Sequence, residues 1–278
     1  MSRKNRHVEG MGMNISAAQQ DYVRKHKVHL RWVRFYQILI LVSFIAAWEI
    51  TARLGILNSF VFSSPSRVIR TILQMTATGQ LLYHIGITLI ETLGSFFLVN
   101  VLGILIAIIL WWNSSVSKVL EPYLIVLNSL PKSALAPVFI VWLGNNMKTI
   151  IVAAVSVAIF GTVINLYSNF REVEEDKIKL IYTLGGRKKD VLFKVVLPSN
   201  IPSIISQMKV NIGLSLVGVI IGEFLAARAG LGYLIIYGSQ VFKLDWVIMS
   251  IVILCIVATG LYKLLTYFEK KVSRQQRS

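Results

Sequence analysis

The apolar positions of this chain fall into long, nearly unbroken runs. They lack the alternation of a strand and the one-sided stripe of a soluble helix. The first run is "FYQILILVSFIAAWEITA", Phe35 to Ala52. Others cover about His84 to Trp112, Tyr123 to Leu143, Lys148 to Tyr167, Ile201 to Ala226 and Trp246 to Tyr267. A bilayer core takes about 20 apolar residues per helix. The pattern therefore predicts an all-α integral membrane protein with about six transmembrane helices. Trp111, Trp112, Trp142 and Trp246 lie near the ends of runs, where amphipathic rings favour the membrane interface. Between the first two runs, "SSPSRVIRTILQM" is too short and polar to span. Ser64 and Pro65 open a helix there. Its apolar side carries Val68, Ile69, Ile72, Leu73 and Met75, as expected of a helix lying on the outer surface.

Composition agrees. The 278 residues are 55% hydrophobic and only 15% charged, against roughly 25% charged in soluble domains. The net charge of +16 raises a nucleic-acid partner, but its placement argues otherwise. Basic residues crowd the N-terminal tail, the segment from Arg171 to Lys194, and the C-terminal tail. Only Arg53, Arg67, Arg70, Lys148, Arg228 and Lys243 fall on the opposite side of the expected membrane. This is the positive-inside bias, with both termini cytosolic. No aromatic-basic platform accompanies it, so no nucleic acid is expected. The first run lacks a small-residue cleavage site and reads as a retained helix. The expected organisation is a basic tail over 1–34, a transmembrane domain over 35–268 with a cytosolic loop over 169–198, and a second basic tail over 269–278.

Polar residues inside the runs are the candidate chemistry. Pro131, Lys132 and Pro137 interrupt the third run. Prolines remove backbone donors, and broken backbone at membrane depth needs protein or water around it. Asn128, Ser129, Pro131, Lys132 and Ser133 are therefore candidates to line a translocation pathway, with snorkelling of Lys132 as the alternative. The fifth run adds Asn211, Ser215 and Glu223. Glu223 either pairs with Arg228 or lines the outer mouth. Gly230 and Gly232 read as a turn or broken helix. Glu91 and Asn100 lie on nearly opposite faces of the second run, so at least one needs a protein partner. The single cysteine, Cys255, sits in an apolar run, and the four histidines are scattered. No metal-ligand spacing, P-loop or catalytic constellation is present. The chain is expected to be no enzyme and to bind no metal or cofactor itself; any ATP belongs to another chain. A stand-alone secondary carrier would need midplane coupling-ion sites, and no acidic cluster supplies them.

One soluble-looking stretch stands out: "EVEEDKIKLIYTLGGRKKDVLFKVVLP". Ile178, Ile181, Tyr182 and Leu184 form an apolar stripe, Gly185-Gly186 ends a helix, and a second helix offers Val191, Leu192, Val195 and Val196 before stopping at Pro198. This exceeds the 2–8 residues of ordinary connections between helices, and a docking element explains it better.

The stretch resembles the coupling loop of ABC-importer permeases of the binding-protein-dependent type. Gly185, nine residues, then Val195-Val196-Leu197-Pro198 fit that spacing. The family's Glu-Ala-Ala is replaced by Lys179-Leu180-Ile181. "SSPSRVIRTIL", "EPYLIVLNSLPKSALAPVFIVWLG" and "GEFLAARAGLGYLIIYGSQVFKLDWV" resemble the nitrate/sulfonate/taurine branch, which includes carriers of thiamine-precursor pyrimidines. The resemblance covers about Ser63 to Val272. It implies the type I ABC importer permease (MetI-like) fold and a homodimer in the bacterial plasma membrane. It also implies a cytosolic ATP-binding-cassette ATPase dimer carrying ATP and Mg, and an external solute-binding protein. Ile181, Tyr182, Thr183, Leu184, Gly185, Gly186, Lys188 and Pro198 would then make the ATPase-coupling contact.

Overall fold

A computed structural model describes residues 17–55 and 62–275. All regular structure among the described residues is helical. The chain divides into two compact units, Met1–Pro65 and Ser66–Ser278.

The first unit holds α1 (Ala17–Arg53), which absorbs the first apolar run and much of the basic tail into one helix. Only 6% of its apolar window, Phe35–Arg53, is buried. Near its end Glu49 is not isolated: Arg53 Nε donates to Glu49 Oε1 at 2.6 Å, one helical turn on. Residues 1–16 of the expected basic tail lie outside the described residues.

The second unit begins with α2 (Pro65–Ala77), where the sequence placed it. Val68, Thr71 and Met75 face inward, while Ile69 and Leu73 are exposed. Its apolar side is thus narrower than its composition suggests. Arg67 fastens α2 to the start of the last helix through Asp245, at 2.9 Å. Then come α3 (Gln80–Trp112), α4 (Ser114–Ser129), α5 (Lys132–Leu143), α6 (Met147–Arg171) and α7 (Glu175–Thr183). α8 (Lys188–Val191) runs through a π turn at Leu192–Val196 into α9 (Leu197–Ala226). α10 (Leu231–Gln240) and α11 (Leu244–Gln275) complete the unit. Among the described residues, five helices are long and apolar enough to span, or six if α4 and α5 count as one broken span.

That third run is broken more sharply than two prolines in a kinked helix would require. α4 and α5 meet at 98°. α4 also starts nine residues before the expected Tyr123, because Asn113 caps it. The Asn113 side chain accepts from Ser115 N at 3.0 Å and Val116 N at 3.2 Å, which satisfies the orphan donors of a first turn. Leu130 and Pro131 are extended, as a residue preceding proline prefers.

α9 is central and lies antiparallel to both α3 and α6. On α3, Asn100 meets Asn211 and Thr88 meets Glu223. On α6, Thr162 meets Asn211, and further along α9 Gly218 and Gly222 rest on Ala154 and Ile150. "GVIIG" is a small-xxx-small stripe, which lets two membrane helices bring their backbones together where lipid offers no hydrophobic driving force. A Cβ on Gly218 would stand 2.6 Å from Ala154 Cα. The approach therefore admits no side chain.

Two apolar cores sit toward opposite ends of this three-helix pack. One joins Ala107 and Leu110 of α3, Leu166 and Phe170 of α6, and Val191, Leu192 and Val196 before α9. The other joins Val68 and Met75, Leu81, Leu216, Leu231 and Leu234, and Met249 and Leu254. At 1.5 Å per residue, roughly 40 Å of α3 separates Leu81 from Leu110.

Candidate functional site

The coupling segment forms first from its backbone. α7 ends in a Schellman motif: Gly186 N donates to Ile181 O at 2.9 Å and Gly185 N to Tyr182 O at 3.0 Å. Gly185 has φ +80°, which glycine adopts without steric cost. A Cβ on Gly186 would stand 2.5 Å from Ile181 Cγ2. The turn then recloses, with Arg187 N donating to Asp190 Oδ2 at 2.9 Å. The second helix does not stop at Pro198. It continues into α9, because Leu197 N bonds to Leu192 O, five residues back. That widened turn precedes the proline, whose ring would crowd a tight helix at the carbonyl four residues earlier.

The segment has two faces. Ile178 and Ile181 pack onto the core that contains Val191, Leu192 and Val196. Leu180, Tyr182, Leu184 and Phe193 point out, with Leu184 at 75% exposure. The apolar stripe read from the sequence is therefore shared between folding and display. Thr183 turns its hydroxyl back to Lys179 O at 2.6 Å. Lys188 donates to the carbonyl of Trp112 at the end of α3, and its ammonium lies 5.6 Å from the rings of Trp111 and Trp112. A cation on the last carbonyls of a helix suits the negative end of its dipole.

Between the two apolar cores runs a polar chain across three helices. Asn211 Nδ2 donates to Asn100 Oδ1 at 2.9 Å. Thr162 Oγ1 and Gln207 Nε2 both donate to Asn211 Oδ1, at 2.8 and 2.9 Å. Asn165 extends the chain to Gln207. Asn211 and Ser215 are fully buried within this one chain. Asn100 and Glu91 thus both meet α9, Asn100 through Asn211 and Glu91 through Glu223, although their spacing predicts nearly opposite faces of α3. Both polar residues of the second run have protein neighbours.

The elbow between α4 and α5 is separate from that network. Asn128, Ser129 and Ser133 are exposed. Lys132 folds back on α4, donating to Leu127 O at 2.8 Å, to Leu130 O at 3.0 Å and to Asn128 O. It supplies donors to carbonyls that the break leaves without helical partners. Pro131 stands at the corner.

Glu223 is 1% exposed and does not pair with Arg228, which is exposed. Instead it accepts from Thr88 Oγ1 at 2.7 Å and from Gly232 N, and it lies beside the Glu91 carboxyl. Thr88 Oγ1 accepts from Leu231 N at 2.8 Å, and His84 Nδ1 from Gly230 N at 3.0 Å. Three successive backbone donors at the start of α10, those of Gly230, Leu231 and Gly232, are thereby satisfied by side chains of α3 and α9. A Cβ on Gly230 would stand 2.3 Å from Glu223 Cδ, and one on Gly232 2.8 Å from its Oε2. These glycines make room for a carboxylate as well as a turn. The sequence carried a usable signal for this cluster: His84, Thr88 and Glu91 recur at i, i+4 and i+7, one face of a helix.

The chain is 28% identical over 195 residues to the formylaminopyrimidine transport permease protein ThiX of Halalkalibacterium halodurans, covering 70% of this chain and 77% of that protein. It is 25% identical over 265 residues to the putative aliphatic sulfonates transport permease protein SsuC of Bacillus subtilis, covering 95% and 96%. With the taurine transport system permease protein TauC of Escherichia coli it shares 21% over 254 residues, covering 88% and 92%. A chain of the MetNI methionine ABC transporter in an inward facing conformation superposes with a TM-score of 0.59 at 18% identity, over 70% of this chain and 95% of that one, which shows the fold. Residues 99–274 match the family described as the binding-protein-dependent transport system inner membrane component. The multi-pass helical architecture and that match together place the chain in this family, as a membrane-embedded permease subunit of an ABC transporter.

Proposed function

We propose that the chain is one half of a homodimeric permease that imports a small solute, most simply an anion such as a sulfonate, taurine or nitrate. ATP and Mg are held by a separate cytosolic ATPase dimer, and an external binding protein delivers the solute. The observation that carries this reading is the two-faced segment between α6 and α9. Its inner face is part of the core at the ends of α3 and α6, and its outer face displays Leu180, Tyr182 and Leu184. An ATPase that grips the outer face moves the core with it. Positive-inside charge puts this segment and both termini in the cytosol, and the Thr88 end of α3 outside.

The pathway runs along the α4–α5 elbow at the junction of two copies. Exposure supports this placement: Asn128, Ser129 and Ser133 are exposed on the surface of the subunit, whereas Asn211 and Ser215 are enclosed in it. The resemblance to ThiX supports a second substrate class, a thiamine-precursor pyrimidine. The test is reconstitution of the chain with its ATPase and binding protein in vesicles. ATP-driven uptake of a sulfonate, and none of a pyrimidine, is expected. Transport by the chain alone sinks the importer reading.

A further inference from the structure

We propose that His84, Thr88 and Glu223 form a clasp that makes α10 move as one body with α3 and α9, so that the outer segment Ala227–Lys243 follows the core during transport; this rests on the importer reading above. α10 is ten residues long and starts after a break at Gly230. A helix this short is marginal by itself, and its first four donors lack intrahelical partners. Here the donors of Gly230, Leu231 and Gly232 are each taken by a side chain anchored elsewhere. Two of those side chains stand one turn apart on α3, and the third is on α9. The ring of His84 also stacks on Tyr233, with centroids 6.1 Å apart and planes at 15°.

The clasp is built for fixity. Thr88 is fully buried and serves twice, donating to Glu223 Oε1 at 2.7 Å and accepting from Leu231 N at 2.8 Å. Glu223 is closed in by Gly230 and Gly232, where any side chain would overlap it. Buried polar groups left without partners are costly, so α10 cannot lift from α3 without exposing several at once. At its far end α3 meets the coupling segment, where Ala107 and Leu110 share a core with Val191 and Leu192. A continuous helix of 33 residues thus joins the coupling segment to α10. It is a physical connection of the kind that coupling between distant sites needs.

The test compares Thr88→Val with Thr88→Ser. Valine keeps the shape but loses both hydrogen bonds, and serine keeps them. In the full complex with ATPase and binding protein, Thr88→Val is expected to lower binding-protein-stimulated ATP hydrolysis and uptake about tenfold. Basal hydrolysis and assembly stay as they were, and Thr88→Ser restores stimulation. A second measurement needs no ATPase. In a Cys255→Ser background, Leu234→Cys on α10 reports access to a water-soluble thiol reagent in membranes of the chain alone. Labelling is expected to be slow, and to speed up about tenfold with Thr88→Val. Unchanged labelling overturns the clasp. Faster labelling with unchanged stimulation overturns the link between α10 and the core. If the unmodified complex shows no stimulation at all, the importer reading has failed, and with it this role for α10, while the labelling still decides whether the clasp exists.

Discussion

At the scale of single residues, glycine marks where backbones touch, and the positions differ sharply in what they tolerate. Gly218 lies on the α6 backbone, while Gly213, one and a half turns earlier on the same helix, has nothing within 4 Å of where a Cβ would stand. Gly218→Leu is expected to force α6 and α9 apart and to destabilise the chain by at least about 1–3 kcal/mol. Gly213→Leu is expected to stay within about 0.5 kcal/mol of the parent. Thermal unfolding of the purified protein in detergent checks both. Equal midpoints for the two variants would mean that the small-residue stripe does not set the helix approach. Lys132 shows a different residue-scale rule. The sequence left a charge in a broken span with two readings, pathway or snorkelling. The structure gives it three backbone carbonyls at the broken end of α4. Hydropathy cannot reveal such a partner, because the acceptors belong to the backbone and become available only where the helix breaks.

At the scale of elements, the coupling segment separates two effects that its sequence merges. Leu184 and Ile181 belong to one apolar stripe, yet Leu184 is 75% exposed and Ile181 packs on the core. Leu184→Asp is expected to leave folding intact and to cut the amount of ATPase that co-purifies several-fold, with substrate-stimulated hydrolysis lost. Ile181→Asp is expected to lower the unfolding temperature first, since a carboxylate would enter an apolar site. If Leu184→Asp retains full ATPase binding and uptake, the segment is a plain connector. Much of this element was legible in advance. The period of α7, the Gly-Gly stop and the long apolar runs followed from spacing, and α2 began at Pro65 as its cap required. The rest was not. Pro198 reads as a stop by local rules, and a π turn absorbs it instead. Asn113 reads as an ordinary polar residue, yet its side chain starts α4 well before hydropathy rises. The clasp on α10 joins residues 84, 88 and 223, and no local pattern states which helices become neighbours. His84, Thr88 and Glu91 share a face in sequence, but what that face meets is decided by the antiparallel packing of α3 and α9.

At the scale of the whole molecule, charge and exposure point to one arrangement in the membrane. A cysteine at Asn145, between α5 and α6, is expected to react only from outside in a Cys255→Ser background, and one at Asp176 on α7 only from the cytosol. The reverse labelling would invert the orientation. What the subunit encloses favours the proposed pathway outside it. Four of its interior polar groups are spent on one another: Asn100, Asn211, Thr162 and Gln207 form a chain of hydrogen bonds. Opening it to let a solute pass would strand several buried groups. The elbow at Pro131 instead leaves Asn128, Ser129 and Ser133 exposed. Polar side chains at membrane depth face protein or water rather than lipid, and the proposed second copy of the chain would provide such a setting. Ser133→Cys in the Cys255→Ser background is therefore expected to react with a small water-soluble thiol reagent in the assembled complex. Its rate should change at least several-fold when ATP and vanadate hold the ATPases closed, because the pathway then opens to the other side. Uptake should fall as the attached group fills the path. A residue that stays unlabelled in both states, with uptake untouched, would move the pathway away from the elbow and onto α9 near Asn211 and Ser215. The polar chain there would then have to open in every transport cycle.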